Sequence, residues 1–95
     1  MIRSWANSRT RRFFEGNSVG GFGGMDAELA IERLISLSAA TKLADLGVLS
    51  SVSLHKLKGS RRGQWAMTIN GRWRLCFRFA DGHAYDVEIV DYHRG

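Results

Sequence analysis

The chain has 95 residues and a hydrophobic fraction of 44%, which is enough for one core and sets a single domain as the expectation. Its formal charge is +5 and 11 of its 14 basic residues are arginine; guanidinium grips phosphate with a planar fork, so a nucleic-acid partner is favoured over a basic surface that binds nothing. One cysteine, Cys76, excludes an internal disulfide framework, and no apolar run nears the ~18 residues of a membrane span, so the reading is a cytoplasmic domain without a signal peptide.

In chain order, Ile2 to Trp5 reads as a short edge strand, and Ser8 as an N-cap for a basic helical segment, Arg9 to Glu15, that carries Phe13 and Phe14. Residues 16–24 follow, with four glycines in the five positions 20–24, and regular structure is costly there. They read as a flexible loop. A phosphate cradle is the weaker reading, because no Lys-Ser/Thr pair follows and no clear strand precedes. From Asp26, a second N-cap, helical spacing sets Leu29, Ile31, Leu34, Ile35 and Leu37 on one side and Glu28, Glu32 and Arg33 toward water. A short helix from Thr41 to Leu46 stops at Gly47.

The second half alternates with period two. Leu54–Leu57, Gln64–Thr68, Arg72–Phe79 and Ala84–Ile89 are the expected strands, with Asn70-Gly71 and Asp81-Gly82 at the hairpin tips. Three-residue tips, each with glycine as the bulge residue, pair Met67 with Trp73, Trp65 with Leu75, Phe77 with Tyr85, Leu75 with Val87 and Trp73 with Ile89. Every pair is apolar, and a slip of one residue would expose the whole set at about 1.5–3 kcal/mol per large side chain. The expected fold is α+β, with two N-terminal helices on one face of a curved, mainly antiparallel sheet of four or five strands.

The opposite face then presents Arg72, Arg74, Cys76 and Arg78, with Arg74 beside Glu88 and Cys76 beside Asp86. A solvated polar face with cross-strand ion pairs accounts for this row as well as a phosphate-binding face does. At the end of the last strand, Asp91-Tyr92-His93 sets an acid, a phenol and an imidazole side by side. Asp91 and His93 share the parity of Val87 and Ile89, so the strand has to end, twist or bulge near Val90 to bring them to the arginine face.

Leu54-His55-Lys56-Leu57-Lys58-Gly59-Ser60-Arg61-Arg62-Gly63-Gln64-Trp65, Asn70-Gly71-Arg72-Trp73-Arg74-Leu75-Cys76-Phe77, Tyr85-Asp86-Val87 and Asp91-Tyr92-His93 together resemble the HigB toxins of the RelE/ParE superfamily, which belong to type II toxin–antitoxin systems. The resemblance runs in order over most of the chain. It implies a ribosome-dependent mRNA endonuclease, silenced by a HigA-like helix-turn-helix antitoxin that also binds operator DNA. It also implies catalytic residues at His55, Asp91, Tyr92 and His93. Lys58 and Arg74 are phosphate partners by position, and Arg61, Arg62, Arg72 and Arg78 complete the expected RNA-binding set. The chain departs from the family pattern at Lys56, where proline usually follows the motif histidine.

The chemistry asked of such a set is clear. Cleaving RNA without metal needs a base for the 2′-OH, positive charge for the phosphorane and an acid for the 5′-oxygen. Imidazoles suit the proton steps because their unperturbed pKa lies near ~6.5. His55 and His93 divide these steps if the strand ends meet, Asp91 orients an imidazole or acts as base, and Tyr92 stacks on a base or donates its hydroxyl. No cofactor is expected, and no metal, since no pair of the three histidines has ligand spacing and Cys76 has no second thiol. Two other classes stay open: a gyrase-directed toxin of the ParE kind, and a catalytically silent RNA- or antitoxin-binding module of the same fold.

Overall fold

The computed structural model describes residues 1–47 and 53–92. Helices α1 (Ser8–Phe14), α2 (Ala27–Ala39) and α3 (Ala44–Gly47) precede strands β1 (His55–Lys56), β2 (Trp65–Asn70), β3 (Trp73–Ala80) and β4 (His83–Asp91). The strands form one antiparallel sheet in the order β1-β2-β3-β4, so the second half is a meander and the α+β expectation holds.

The first residues do not form a full strand. Ile2 and Trp5 make isolated parallel bridges to Ala84 and Val87, and the Ser4 hydroxyl accepts from the Asp86 N–H at 2.9 Å between them. The cap of α1 is Asn7, not Ser8: its backbone is extended and its side chain accepts from the Thr10 N–H at 2.8 Å. Asparagine serves that position as well as serine. The helix docks through Thr10, fully buried, whose hydroxyl accepts from the Ile89 N–H at 3.1 Å. The outer edge of β4 is thereby covered over much of its length, which keeps it from pairing with another chain.

Asp26 caps α2 as its sequence suggests, accepting from the Leu29 N–H at 3.1 Å. The buried side is Ala30, Leu34 and Leu37, and it also takes in Arg33, while Ile35 is 55% exposed. This reverses two expectations at once. Arg33 can be buried because its Nε donates to the Thr68 carbonyl at 3.1 Å, at the point where β2 slips register. The short third helix begins later than expected, at Ala44; Asp45 accepts from the Thr41 and Lys42 N–H groups, and the Thr41 bond holds its carboxyl below the ordinary carboxylate range.

Both hairpin tips are two residues long, where three were expected. Ala80 pairs with His83 around Asp81-Gly82, whose φ values of 52° and 80° are the left-handed pair of a type I′ turn. Asn70 pairs with Trp73 around Gly71-Arg72. The extra residues sit within the strands, in register shifts between Thr68 and Asn70 and, across from Cys76–Arg78, at Asp86, whose φ is 53°. The true pairs are therefore Trp65–Phe77, Met67–Leu75, Leu75–Ile89 and Trp73–Asp91. Along the inner halves of the strands this differs from the expected register by two residues, so Met67, Leu75, Phe77, Val87 and Ile89 still share the core face. The bulge at Asp86 flips the start of β4: Ala84 enters the core, and Tyr85 lies opposite Arg78 rather than Phe77.

The glycine-rich stretch is tied to the fold at its aromatic residue. Phe22 meets Phe13 and Trp73 edge-on at centroid distances of 5.4 and 5.8 Å, and the Arg9 guanidinium lies 5.0 Å over its ring. Asn70 closes the base of the loop, donating to the Gly24 carbonyl at 3.0 Å and accepting from the Asp26 N–H at 2.7 Å. Phe22→Ala is expected to cost about 2 kcal/mol in a denaturant titration, from lost apolar burial and two ring contacts. A change below a few tenths would mean that the ring contributes no packing.

Candidate active site

The face of the sheet away from α2 is not an open row of arginines. Leu57, Ala66 and Cys76 form a second small buried cluster there, with Val90 packed against it. The connection from β1 to β2 covers them: Leu57 donates its N–H to the Gln64 carbonyl at 2.9 Å, and Gly59–Arg61 makes a single 3₁₀ turn. Burial pushes the Cys76 thiol up to about 11, reinforced by Glu88 and opposed by Arg61 and Arg74. A thiol raised in the folded state stays protonated while the unfolded one ionises near its ordinary 9.0. Its contribution to stability is therefore complete below pH 9 and lost as pH climbs toward 11. Cys76 should resist alkylation at pH 8 until denaturant is added; rapid labelling of the native protein would contradict its burial.

The ion pairs on this face differ from those expected. The shifted register puts Arg74 beside Val90 and Cys76 beside Glu88. Glu88 instead meets Arg61 at 3.3 Å, and Asp86 meets Arg78 at 3.3 Å. β4 does end near Val90, as expected. It runs through Asp91, and the irregularity lies at Asp86, nearer its start. Asp91 reaches solvent because it is the last residue of the strand, where its carboxylate lies 3.5 Å from Arg72 Nε. The Tyr92 N–H then donates to the Arg72 carbonyl at 2.8 Å, which holds the strand end against the β2–β3 tip.

Between this strand end and β1 lies an open hollow of about 670 Å³, lined by His55, Lys56, Leu57, Lys58, Arg72, Arg74 and Tyr92. A smaller one of about 340 Å³ shares Leu57, Lys58 and Tyr92 with it and adds Arg61, Val90 and Asp91. Of the residues expected to act, His55, Lys58, Arg72, Arg74 and Tyr92 meet in the first hollow, and Asp91 and Arg61 in the second. Arg62 and Arg78 line neither; Arg78 belongs to the far half of β3, and its guanidinium reaches the backbone at Gly63. His93 lies outside the described residues. Lys56 was not among the expected site residues, yet it lines the larger hollow with its ammonium 5.8 Å from the Trp65 ring. Its charge at a position following the motif histidine was the available signal.

The exposed ring of His55 is oriented by its own backbone. Its Nδ1 lies 2.9 Å from the Ser53 carbonyl, and a carbonyl only accepts, so Nδ1 carries a proton. Ser53 adopts φ 47°, a left-handed turn just before β1. Nε2 is then the nitrogen left to exchange protons with anything in the hollow. Arg74 is held by its Nη1, which donates to the Gly71 and Trp73 carbonyls at 2.7 and 3.0 Å. That fixes a positive charge on the hollow's wall at little further cost in side-chain entropy. Among the described residues no group of three or more His, Cys, Asp or Glu is placed to hold a metal, and no helix is long and apolar enough to cross a membrane.

An imidazole, a phenol and cations around one open hollow are suited to proton transfer at a phosphodiester. Comparison with known proteins points the same way. Residues 3–93 match the HigB-like toxin model, described as the RelE-like toxin of the type II toxin–antitoxin system HigB. The curated protein named endoribonuclease HigB from Proteus vulgaris is 33% identical over 93 residues, covering 98% of this chain and 100% of that protein. With the helices, the sheet and the motif residues all falling inside that match, the chain belongs to the HigB-like toxin family.

Proposed function

We propose that this protein is a cytoplasmic mRNA endonuclease that cuts translated messages in the ribosomal decoding site without a metal, and that a HigA-like helix-turn-helix antitoxin, itself bound to operator DNA, silences it. The observation that carries this reading is the convergence of His55, Lys58, Arg72, Arg74 and Tyr92 on one hollow. The name of the Proteus vulgaris relative, an endoribonuclease, supports RNA as substrate. His55 exchanges a proton through Nε2, either with the 2′-OH or with the departing 5′-oxygen. Lys58, Arg72 and Arg74 stabilise the charge that gathers on the phosphorane. Tyr92, 37% exposed, offers a ring to a base, a contact worth ~1–3 kcal/mol. Asp91 and, by its place in the sequence, His93 complete the proton chemistry.

The two adjoining open hollows offer a short site rather than a long groove for an extended message, which favours a substrate already presented by the ribosome. Expression in cells followed by primer extension tests this. Cuts should appear in a translated message and vanish when its start codon is removed. Intact messages alongside trapped DNA breaks would overturn the reading in favour of gyrase, and intact messages with unbroken DNA would leave only a binding module.

A further inference from the structure

We propose that Arg61 and Glu88 form a latch that sets the width of the active-site hollow, so that Arg61 is a positioning residue and not an RNA contact. The inference rests on the endonuclease reading of the same hollow. One wall of the hollow is the segment from β1 through the 3₁₀ turn, which carries His55 and Lys58; the other is the end of β4 with Asp91 and Tyr92. The first wall has few backbone ties to the sheet: among the described residues, β1 contributes the pairs His55–Ala66 and Lys56–Trp65, and Leu57 donates its N–H to the Gln64 carbonyl. Side-chain attachments come from buried Leu57 and from Arg61.

Arg61 reaches from the 3₁₀ turn to β4, which is two strands away from β2 in the sheet. Its Nη1 and Nη2 both donate to Glu88 Oε1 at 3.3 Å, and Nη1 also donates to Gln64 Oε1 at 3.0 Å. The other oxygen of Glu88 accepts from Asn7 Nδ2 at 3.5 Å, and Asn7 is the cap of α1. Side-chain exposures of 32% for Arg61 and 26% for Glu88 place the pair partly out of water, where it is less screened than a surface contact. Lys58 lies between the two anchors, with buried Leu57 before it and latched Arg61 after it, and its carbonyl accepts from the Arg61 N–H at 3.3 Å. Releasing the latch lets the Lys58 wall move away from Tyr92, and proton transfer tolerates little misplacement.

A direct phosphate contact by Arg61 predicts the opposite sign for one variant. Glu88→Gln would then free the guanidinium and leave cleavage unchanged or faster. The latch predicts that Glu88→Gln and Arg61→Gln each lower kcat about 10-fold on message-programmed ribosomes, with KM within about 3-fold. The double variant should lose no more than either single one, because the pair acts as a unit. Amide hydrogen exchange on the purified protein gives a second readout free of catalysis. The Leu57 and Gln64 amides, bonded to the Gln64 and Arg61 carbonyls, should exchange about 10-fold faster in all three variants. Undiminished cleavage by Glu88→Gln, a rise confined to KM in Arg61→Gln, or unchanged exchange would overturn the latch. If the wild type cuts no message, the endonuclease reading fails, and the exchange experiment still decides the latch.

Discussion

His55→Ala is expected to lower the rate of message cleavage about 10²- to 10⁴-fold, the usual contribution of a positioned general acid or base. Folding should be nearly unchanged, since the ring is exposed and its one described bond is to the Ser53 carbonyl two residues back. That separation of effects is what distinguishes a chemical role from a structural one. Single-turnover cleavage on programmed ribosomes with saturating protein reads it, because binding no longer limits the rate. A loss smaller than about 3-fold would remove His55 from the proton steps. His55→Gln adds a useful control, since an amide can still donate a hydrogen bond from a similar place but cannot relay a proton. It should be as inactive as alanine.

The largest expected effect on stability is at Phe77. Its side chain is fully buried in β3, with Trp65 across the ladder and the core under α2 around it. Phe77→Ala removes the apolar transfer term and leaves a cavity that the central strand cannot close, at about 3–5 kcal/mol. Against the ~5–15 kcal/mol stability of a small domain, that is enough to leave much of the protein unfolded at 37 °C. Denaturant titration should show a lower midpoint with a similar slope. A loss under 1 kcal/mol would mean that the core face is wrongly assigned.

The faces of the sheet were readable from the sequence because parity survives errors of two. Met67, Leu75 and Ile89 belong to one face whether the hairpins have two-residue or three-residue tips, since the two registers differ there by an even step. The choice between tips was not readable. It depends on where the chain places its bulges, and nothing about Asp86 marks it in advance as the residue that takes φ 53°. Tyr85 went to the wrong face for that reason alone. Helical spacing correctly found Leu34 and Leu37, but it could not know that the Thr68 carbonyl would accept from Arg33 and draw that side chain inward. Phe22 was hidden by its glycine neighbours, whose composition says nothing of where a lone aromatic ring will pack.

The candidate site was legible in a different way. Family motifs mark His55, Lys58, Arg74 and Tyr92, and the meander brings these residues, 37 positions apart at the extremes, to a common hollow. Spacing alone could not have done so. Arg61 and Glu88 were missed as a pair because they are separated by 27 residues and joined only when the β1–β2 connection folds over the sheet. Charge at Arg61 suggested phosphate, whereas in the folded chain its guanidinium meets Glu88, which motivates the positioning role proposed above. Arg62 and Arg78 share the same composition signal, yet both stand outside the hollow.

The central claim is that this hollow cleaves RNA by activating the 2′-OH beside the scissile phosphate. The most direct measurement uses purified toxin and ribosomes programmed with a message carrying one 2′-deoxynucleotide at the cleaved position. The all-ribose message should be cut and leave a 2′,3′-cyclic phosphate end, while the substituted message should stay intact at that position. Cleavage of the deoxy-substituted bond at a comparable rate would show that the nucleophile comes from elsewhere, and the proposed role of His55 would fall with it.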